Sequence, residues 1–277
     1  MKKQLMNSKY VMICLLAAVT LFQSCRKDLL KQTPTVDLAA DAFWKTEADA
    51  QFALNGLYAA VRPCFDRDYY MDGHGEYTRA RGGSMLDGNF RNGDAYFSAN
   101  FNPTGYAGNW DRMYRYLYGA VNRANYVVAN VNKMKADGIG NPATLDIILG
   151  EALMLRGLSY FKLISMWGDV PYFTFVVAAN SEVSGLARTP ITQVKDSILA
   201  DLSFAVDKLP AKPAQNDRPG KPAALGLRGK VNLYWGSWKK NGWPELEGFT
   251  PSASEATTAF TAAAADFRSV INDFGLT

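Results

Sequence analysis

The amino-acid sequence predicts an all-α protein whose helices are interrupted by one long loop rich in aromatic residues and glycine. Two observations predict this fold class. Apolar residues recur every three or four positions in six segments, which is the spacing of one face of an α-helix. Most of these segments begin at a residue that can cap a helix and end at proline or glycine. The stretch between Phe65 and Asn109 lacks this spacing and contains eight glycines.

The first predicted helix begins after Thr46, and Asp49 three residues later completes a capping box. Pro63 ends this helix, because proline cannot continue the hydrogen-bond pattern. Its apolar stripe consists of Ala50, Ala53 or Leu54, Leu57 and Val61.

The second predicted helix is capped by Asn109, and Gly138 ends it. Spacings of four and three alternate along its whole length, which predicts a single face packed on the core. The residues of this stripe are Trp110, Tyr114, Leu117, Val121, Ala124, Val128 and Val131.

The third predicted helix is capped by Asn141, has Pro142 in its first turn, and stops at Gly168 to Pro171. Two adjacent apolar rows give it a broad face, so we expect it to contact more than one neighbour. Arg156 lies within this apolar surface and therefore needs a partner, either Glu151 or an acid on a neighbouring helix. We expect a structural ion pair there rather than a ligand contact. The apolar strip at residues 170–178 is too short to interpret from its pattern alone.

Three more helices are predicted in the last third of the chain. The fourth starts at Thr189 and Pro190 and stops at Pro210, with its stripe at Val194, Ile198, Leu202, Ala205 and Leu209. A linker at 211–222 leads to the fifth, whose stripe is Ala224, Leu227, Val231, Trp235 and Trp238. Ser252 and Glu255 form a capping box for the sixth, which carries Phe260, Ala263, Phe267, Val270 and Phe274. Small residues such as Ala263 at helix crossings are typical of tetratricopeptide repeats, but the period is too irregular to establish repeats from the pattern.

The amino terminus predicts a lipoprotein signal peptide at residues 1–24. Basic residues precede an apolar run, Val11 to Phe22, that is too short to span a bilayer as a helix. Cleavage before Cys25 would leave that cysteine as the site of lipid attachment, and several acyl chains there would anchor the protein stably. An ordinary signal peptide followed by an incidental cysteine is the alternative. Residues 25–40 are then a polar tether, and residues 41–277 the helical domain.

Charge and composition exclude several classes of function. Removing residues 1–24 removes three lysines from the 30 basic residues and leaves 27 against 26 acids, so nucleic acid is not a predicted partner. Cys64 is the only cysteine left apart from Cys25, and because Cys25 would carry lipid, no disulfide is predicted within the mature chain. The single histidine, His74, excludes zinc motifs with two histidines.

The aromatic loop is the predicted ligand-binding region, because long loops are uncommon and often functional. Aromatic rings can stack on the C–H face of a sugar, and amide, carboxylate and guanidinium groups can bind its hydroxyls. The candidate residues are Tyr77, Arg79, Arg81, Asp87, Asn89, Phe90 and Tyr96. For any one of them, pinning the loop to the helices is the alternative role.

Other candidate sites are weaker. Trp110, Trp167 and Trp235 fall on helical stripes and are predicted to lie in the core, whereas Trp243 stands in a loop and is a minor candidate for sugar stacking. The acids at 66, 68, 72 and 76 depart from the spacing of a helix-loop-helix calcium site, so no metal site is predicted. Scattered Asp and Glu residues could be taken for a glycosidase pair, but the sequence cannot establish the separation between their carboxylates, so no catalysis is predicted. No cofactor is predicted either.

Four stretches, in order, resemble the SusD/RagB family of surface lipoproteins that hand nutrients to an outer-membrane transporter. They are CRKDLLKQTP with FWKTEADAQFALNGLYAAVR, EALMLRGLSYFKLISMWGDVP, ILADLSFAVDKLP and KPAALGLRGKVNLYWGSW. The resemblance implies tetratricopeptide-like helical repeats and no enzymatic activity. It also implies capture of an oligosaccharide, a SusC-like TonB-dependent transporter as partner, and a surface-exposed position on the outer membrane.

The resemblance leaves some alternatives open. No ligand motif of the family matches the aromatic loop residue by residue, so the seven candidates rest on local composition. Some members are thought to capture peptides, and a helical scaffold that binds only proteins would use the loop as a docking arm. Family members are longer, so we expect this chain to be an amino-terminal portion whose carboxyl-terminal half is missing.

Overall fold

The computed structural model describes residues 43–65, 107–244 and 246–275, without the side chains of residues 107–112. The chain divides into two compact units, Met1–Trp44 and Lys45–Thr277. Of the first unit only Phe43 and Trp44 are described, and their rings meet edge to face with centroids 5.2 Å apart. All the helices named below belong to the second unit.

The described residues form an all-α fold, as predicted. The helices are α1 (Glu47–Val61), α2 (Ala107–Ala136), α3 (Pro142–Trp167), α4 (Ile191–Lys208), α5 (Lys221–Asn241) and α6 (Ala253–Phe274). Short 3₁₀ turns occupy Arg62–Phe65 and Asn180–Glu182. The one β-bridge in the described part of the chain is antiparallel and joins Val170 to Thr189. No helix in the described ranges combines the length and the apolar character that crossing a membrane requires.

Consecutive helices pack on one another, as expected of a layered helical array. The most extensive contacts join α5 to α6, α3 to α4 and α2 to α3, while α4 also contacts α5. α1 packs on both α2 and α3. The chain therefore places α3 between α2 and α4, with α1 alongside.

Local sequence explains most helix ends. The capping box of α1 is confirmed, because the Asp49 carboxylate accepts a hydrogen bond from the Thr46 N–H at 2.8 Å and the Thr46 hydroxyl accepts from the Asp49 N–H. The Asn141 side chain caps α3 by accepting from the Ala143 N–H at 2.8 Å. The hydroxyl of Ser252 accepts from the Glu255 N–H at 3.3 Å and caps α6. The predicted capping box of α6 is incomplete, because the Ser252 N–H donates to the Lys239 carbonyl rather than to the Glu255 carboxylate.

The predicted start of α2 is wrong by three residues, because a cap at Asn109 would make Trp110 the first helical residue. The helix begins at Ala107, so Asn109 lies inside its first turn and cannot adopt the extended backbone of a capping residue. Its predicted stripe also shifts, because Val127 is fully buried whereas Val128 is half-buried. The alternation itself holds, but along the buried face it runs through Leu117, Ala120, Ala124, Val127 and Val131, so the predicted step from Ala124 to Val128 is one residue too long. Leu117, Val121, Ala124 and Val131 are buried as predicted.

The buried surface of α3 is broader than the two predicted apolar rows, because fifteen residues of this helix are buried. The predicted stripe of α4 is buried in full, from Val194 to Leu209. On α5, Ala224, Val231 and Trp235 are buried, while Leu227 and Trp238 are half-buried.

Small residues bring α5 and α6 close together. A Cβ added at Gly229 would lie 2.7 Å from the ring of Phe267, and one at Gly236 would lie 2.7 Å from the ring of Phe260. Atoms of real side chains do not approach so closely, so both positions need the missing Cβ of glycine. Ala263 is also buried, which agrees with small residues at helix crossings.

Candidate functional site

A cavity of about 370 Å³ lies between α2 and the chain that follows α3. This volume falls in the range of sites for small ligands. α2 contributes one side of the lining, and the other side comes from extended chain and the turn after it. The lining residues are Tyr114, Arg115, Tyr118, Gly119, Asn122, Pro171, Phe173, Val177, Asn180 and Val183.

One side of the cavity is formed by residues 170–177, which we call the wall segment. α3 ends before it because Gly168 adopts a positive φ of 65°. Val170 then pairs with Thr189, with N–H to carbonyl distances of 3.3 Å and 2.9 Å. The Asp169 carboxylate accepts from the Ile191 N–H at 2.8 Å and so caps α4. The start of the wall segment is therefore tied to both α3 and α4.

Two tyrosine hydroxyls bind the backbone of the wall segment. Tyr118, on α2, donates to the Pro171 carbonyl at 2.7 Å. Tyr160, on α3, donates to the Phe173 carbonyl at 2.8 Å and accepts from the Phe173 N–H at 3.0 Å. Burial raises the pKa of both tyrosines above the ordinary value, so both hydroxyls stay protonated and able to donate.

Two asparagines on α2 complete the attachment of the wall segment. Asn122 binds both backbone groups of Val177, accepting from its N–H at 2.8 Å and donating to its carbonyl at 3.0 Å. The Asn125 amide donates to the carbonyls of Phe173 at 3.3 Å and Phe175 at 3.0 Å. Side chains thus supply the hydrogen bonds that a neighbouring strand would supply in a sheet.

A buried ion pair lies behind Asn125. Arg156 donates two hydrogen bonds to the Asp201 carboxylate, at 2.8 Å and 2.7 Å, and a third to the Asn125 amide oxygen at 3.0 Å. Burial raises the pKa of the Asp201 carboxyl, and the Arg156 guanidinium opposes that rise. The predicted structural role of Arg156 is confirmed, with an acid on α4 as its partner.

Glu151, the other partner considered for Arg156, belongs to a separate network. Its carboxylate accepts from the Tyr58 hydroxyl at 2.6 Å and from Arg218 at 3.1 Å. Arg218 also lies over the Tyr58 ring, 4.7 Å from its centroid. This network ties the linker before α5 to α1 and α3.

Aromatic rings give the cavity an apolar surface. The rings of Tyr114 and Tyr118 lie 4.7 Å apart, and Phe173 stacks on Tyr118 at 5.8 Å with an angle of 13° between the planes. Tyr114 also meets the edge of Trp167 at 5.2 Å. Ring faces beside amide and guanidinium groups suit a ligand with one apolar face and a hydroxyl rim, such as a sugar.

The seven residues predicted in the aromatic loop and Cys25 lie outside the described residues, as do the acids at 66, 68, 72 and 76. Of the tryptophans, Trp235 is buried as predicted, Trp167 is half-buried, and the Trp110 side chain is not described. Trp243 is less free than expected, because it stacks on Trp238 with centroids 4.1 Å apart and planes 15° apart. That contact covers one of the ring faces a sugar would need.

Sequence reasoning missed the residues that hold the wall segment. Tyr118, Asn122 and Asn125 follow one another at spacings of four and three, each one position after Leu117, Val121 and Ala124 of the apolar stripe. A polar row beside a buried row was the signal that could have identified them. A buried asparagine requires hydrogen-bond partners, which helical periodicity alone does not reveal.

Comparison with known proteins identifies the family. A family model described as "starch-binding associating with outer membrane" matches residues 36–233. SusD-like protein P2 of Formosa agariphila is 27% identical, over 76% of this chain and 41% of its own. A SusD-like protein of Bacteroides ovatus is 25% identical, over 86% of this chain and 41% of its own.

Solved structures share the fold. A SusD homolog from Bacteroides thetaiotaomicron, 23% identical, superposes with a TM-score of 0.60 over 83% of this chain and 41% of its own. A structure described as a laminarin binding SusD-like protein, 22% identical, gives 0.61 over 82% and 44%. These neighbours have helical, tetratricopeptide-like folds. The chain thus spans less than half the length of the relatives it matches, and over that span it belongs to the SusD-like family.

Proposed function

We propose that this protein is a lipid-anchored, surface-exposed glycan-binding protein that captures oligosaccharides and passes them to a SusC-like TonB-dependent outer-membrane transporter. The observation that carries the proposal is the match of residues 36–233 to a starch-binding, outer-membrane family. The laminarin-binding description of one solved neighbour supports a glycan as the ligand class. The protein performs no catalysis in this proposal.

The ligand site combines the cavity with the aromatic loop. The rings of Tyr114, Tyr118 and Phe173 line the cavity and give it an apolar surface against which the C–H face of a sugar can pack. The loop residues proposed to complete the site are Tyr77, Arg79, Arg81, Asp87, Asn89, Phe90 and Tyr96. α2 begins at Ala107, so the chain leaves this loop directly into the helix that lines the cavity.

Gel electrophoresis with and without soluble starch or laminarin tests glycan binding. We expect either polysaccharide to retard the purified protein, and we expect replacement of Tyr77 and Tyr96 by Ala to reduce the retardation without lowering the melting temperature. Phe52→Ala is the matched control, because Phe52 is an aromatic residue on α1 with 73% of its surface exposed. Equal mobility in all gels would contradict glycan binding and would favour capture of peptides or a scaffold that binds only proteins.

The anchor and the domain boundaries belong to the same proposal: signal peptide at 1–24, tether at 25–40 and helical domain at 41–277. Cys25→Ala should release the protein from outer membranes, because the acyl chains that hold it there would be absent. Cys64→Ala is the control, because this buried cysteine lies in the 3₁₀ turn that follows α1. Its replacement should leave membrane retention unchanged. Retention of Cys25→Ala, with no acyl mass on the wild-type protein, would contradict the anchor.

Transfer of ligand needs a direct contact with the transporter. We expect the lipid-anchored protein, cross-linked in intact outer membranes and purified, to carry a TonB-dependent transporter with it. Cross-linked products that contain no transporter would contradict this partner while leaving glycan binding to be judged by the gels.

A further inference from the structure

We propose that Asn125 is a positioning residue for the cavity: held by the buried pair of Arg156 and Asp201, it fixes the wall segment in the shape that the ligand meets. The effect of this shape on ligand binding rests on the proposed glycan binding. The attachment of the wall segment itself is independent of any ligand.

The direction of the Asn125 amide is determined by Arg156. A guanidinium can only donate hydrogen bonds, so the amide must present its oxygen to Arg156, at 3.0 Å. Its NH₂ group must then point the other way, toward the carbonyls of Phe173 and Phe175. Asp201 holds the guanidinium with two hydrogen bonds, so the arginine cannot turn to free the amide.

Beyond Phe173, which is buried and bound by Tyr160, the wall segment has little else to hold it. Phe175 and Val176 are 47% and 38% exposed, so burial of their side chains contributes little. Val170 has a backbone partner in Thr189, but the residues that follow are held by side chains of α2 and α3. Tyr160 binds the segment at Phe173 and Asn122 binds it at Val177. Asn125 joins these contacts by binding the carbonyls of Phe173 and Phe175.

The same residues shape the cavity. Phe173 and Val177 line it, and the Phe173 ring stacks on Tyr118 on the opposite side. If Asn125 no longer donated, the Phe173 carbonyl would keep only its bond from Tyr160 and the Phe175 carbonyl would lose its donor. The wall segment beyond Phe173 would then shift, and the cavity that Phe173 and Val177 line would change shape. A contact with no direct access to the ligand would thus control ligand affinity.

Asn125→Asp tests the proposal with almost no change of volume. One carboxylate oxygen can still accept from Arg156, but the other would face two carbonyl oxygens with no proton to donate. We expect amide hydrogen exchange in peptides covering residues 170–177 to accelerate by about tenfold, because two hydrogen bonds are lost. Asn125→Leu should give the same result, since it keeps the volume and also lacks the donor, and it replaces the first variant if that one does not fold.

The functional readout is retardation by whichever of starch and laminarin binds the wild-type protein, with an expected loss of affinity of about fivefold or more. Asp266→Asn is the matched control, because it weakens the ion pair of Arg228 and Asp266 between α5 and α6, neither of which lines the cavity. It should lower the melting temperature while leaving affinity and exchange at 170–177 unchanged.

The attachment of the wall segment by Asn125 and its effect on ligand affinity are tested separately. Unchanged exchange at 170–177 in both Asn125 variants would overturn the positioning role. Faster exchange with unchanged affinity would overturn the link between the wall segment and the ligand. If neither polysaccharide binds the wild-type protein, the proposed function fails, whereas exchange still decides whether Asn125 holds the wall segment.

Discussion

The third and fifth helices are both covered by neighbours, but they achieve this by different means. α3 carries Glu151 and Arg156 inside the protein, with 4% and 7% of their surfaces exposed. Each is bound by groups from other segments, Glu151 by Tyr58 and Arg218, and Arg156 by Asp201. α5 also buries one charge, Lys239, which binds Glu255 and the Thr250 carbonyl, but its closest contacts with α6 are of another kind. At Gly229 and Gly236 it omits side chains, and aromatic rings of α6 fill the space.

Glycine–aromatic contacts and buried charges have different structural effects. Glycine against an aromatic ring sets the distance between two helices but does not fix where other segments lie. Buried charges require particular donors and acceptors, so they also specify which non-helical segment lies beside the helix. In this protein the polar contacts of α3 hold the linker before α5, through Arg218, and the wall segment, through Asn125.

The largest expected effect comes from removing one half of the buried ion pair. Arg156→Met leaves the Asp201 carboxylate buried without its partner, so we expect unfolding free energy to fall by about 3–5 kcal/mol. Denaturation in urea measures this change. The double variant Arg156→Met with Asp201→Leu should recover part of the loss, because it removes the unpaired charge. A loss below about 1 kcal/mol for the single variant would contradict the contrast between the two helices.

Overpacking α5 should have a smaller effect. Gly229→Ala places a Cβ against the Phe267 ring, so we expect a loss of about 1–3 kcal/mol in the same denaturation experiment. Gly226→Ala is the matched control on the same helix, since a Cβ there meets nothing within 4 Å. That variant should gain about 0.5–1 kcal/mol through helix propensity. Equal effects at both positions would show that close approach at Gly229 does not limit the α5–α6 contact.

The smallest expected effect is a dependence of stability on pH that arises from Glu151. Burial raises the pKa of this carboxyl above its ordinary 4.5, although Tyr58 and Arg218 oppose the shift. An acid whose pKa is higher in the folded state contributes stability that is complete below its unfolded pKa and is lost as pH rises through the folded pKa. The wild-type protein should therefore lose stability relative to Glu151→Gln as pH rises from about 4 to about 7.

Melting temperatures of the two proteins at both pH values give this difference, in which the titration of Asp201 and other shared groups cancels. An opposite trend would mean that the hydrogen bonds from Tyr58 and Arg218 outweigh burial. The carboxylate of Glu151 would then stabilise the fold rather than cost stability, and α3 would tolerate its charges better than the comparison with α5 implies.

The helical framework could be predicted because its determinants lie close together in the chain. The capping residues Thr46, Asn141 and Ser252 each bind a backbone group two or three residues away. The exception, Asn109, shows the limit of such signals, because an asparagine is also tolerated inside a first turn. The candidate site was less predictable, because nothing in the helical periodicity identified the row containing Asn125. The seven loop residues lie outside the described part of the chain and stay a prediction.

The sequence alone determined the family, the all-α class, the positions of six helices and the need of Arg156 for a buried acid. These follow from periodicity, capping and the cost of burying a charge, which are properties of single segments. Only the tertiary structure decided that Asp201 is that acid, that Asn125 turns its NH₂ group to the wall segment, and that a cavity lies beyond it. Asp201 is 45 residues from Arg156 and Phe173 is 48 residues from Asn125, so these contacts depend on how the helices pack rather than on any local pattern.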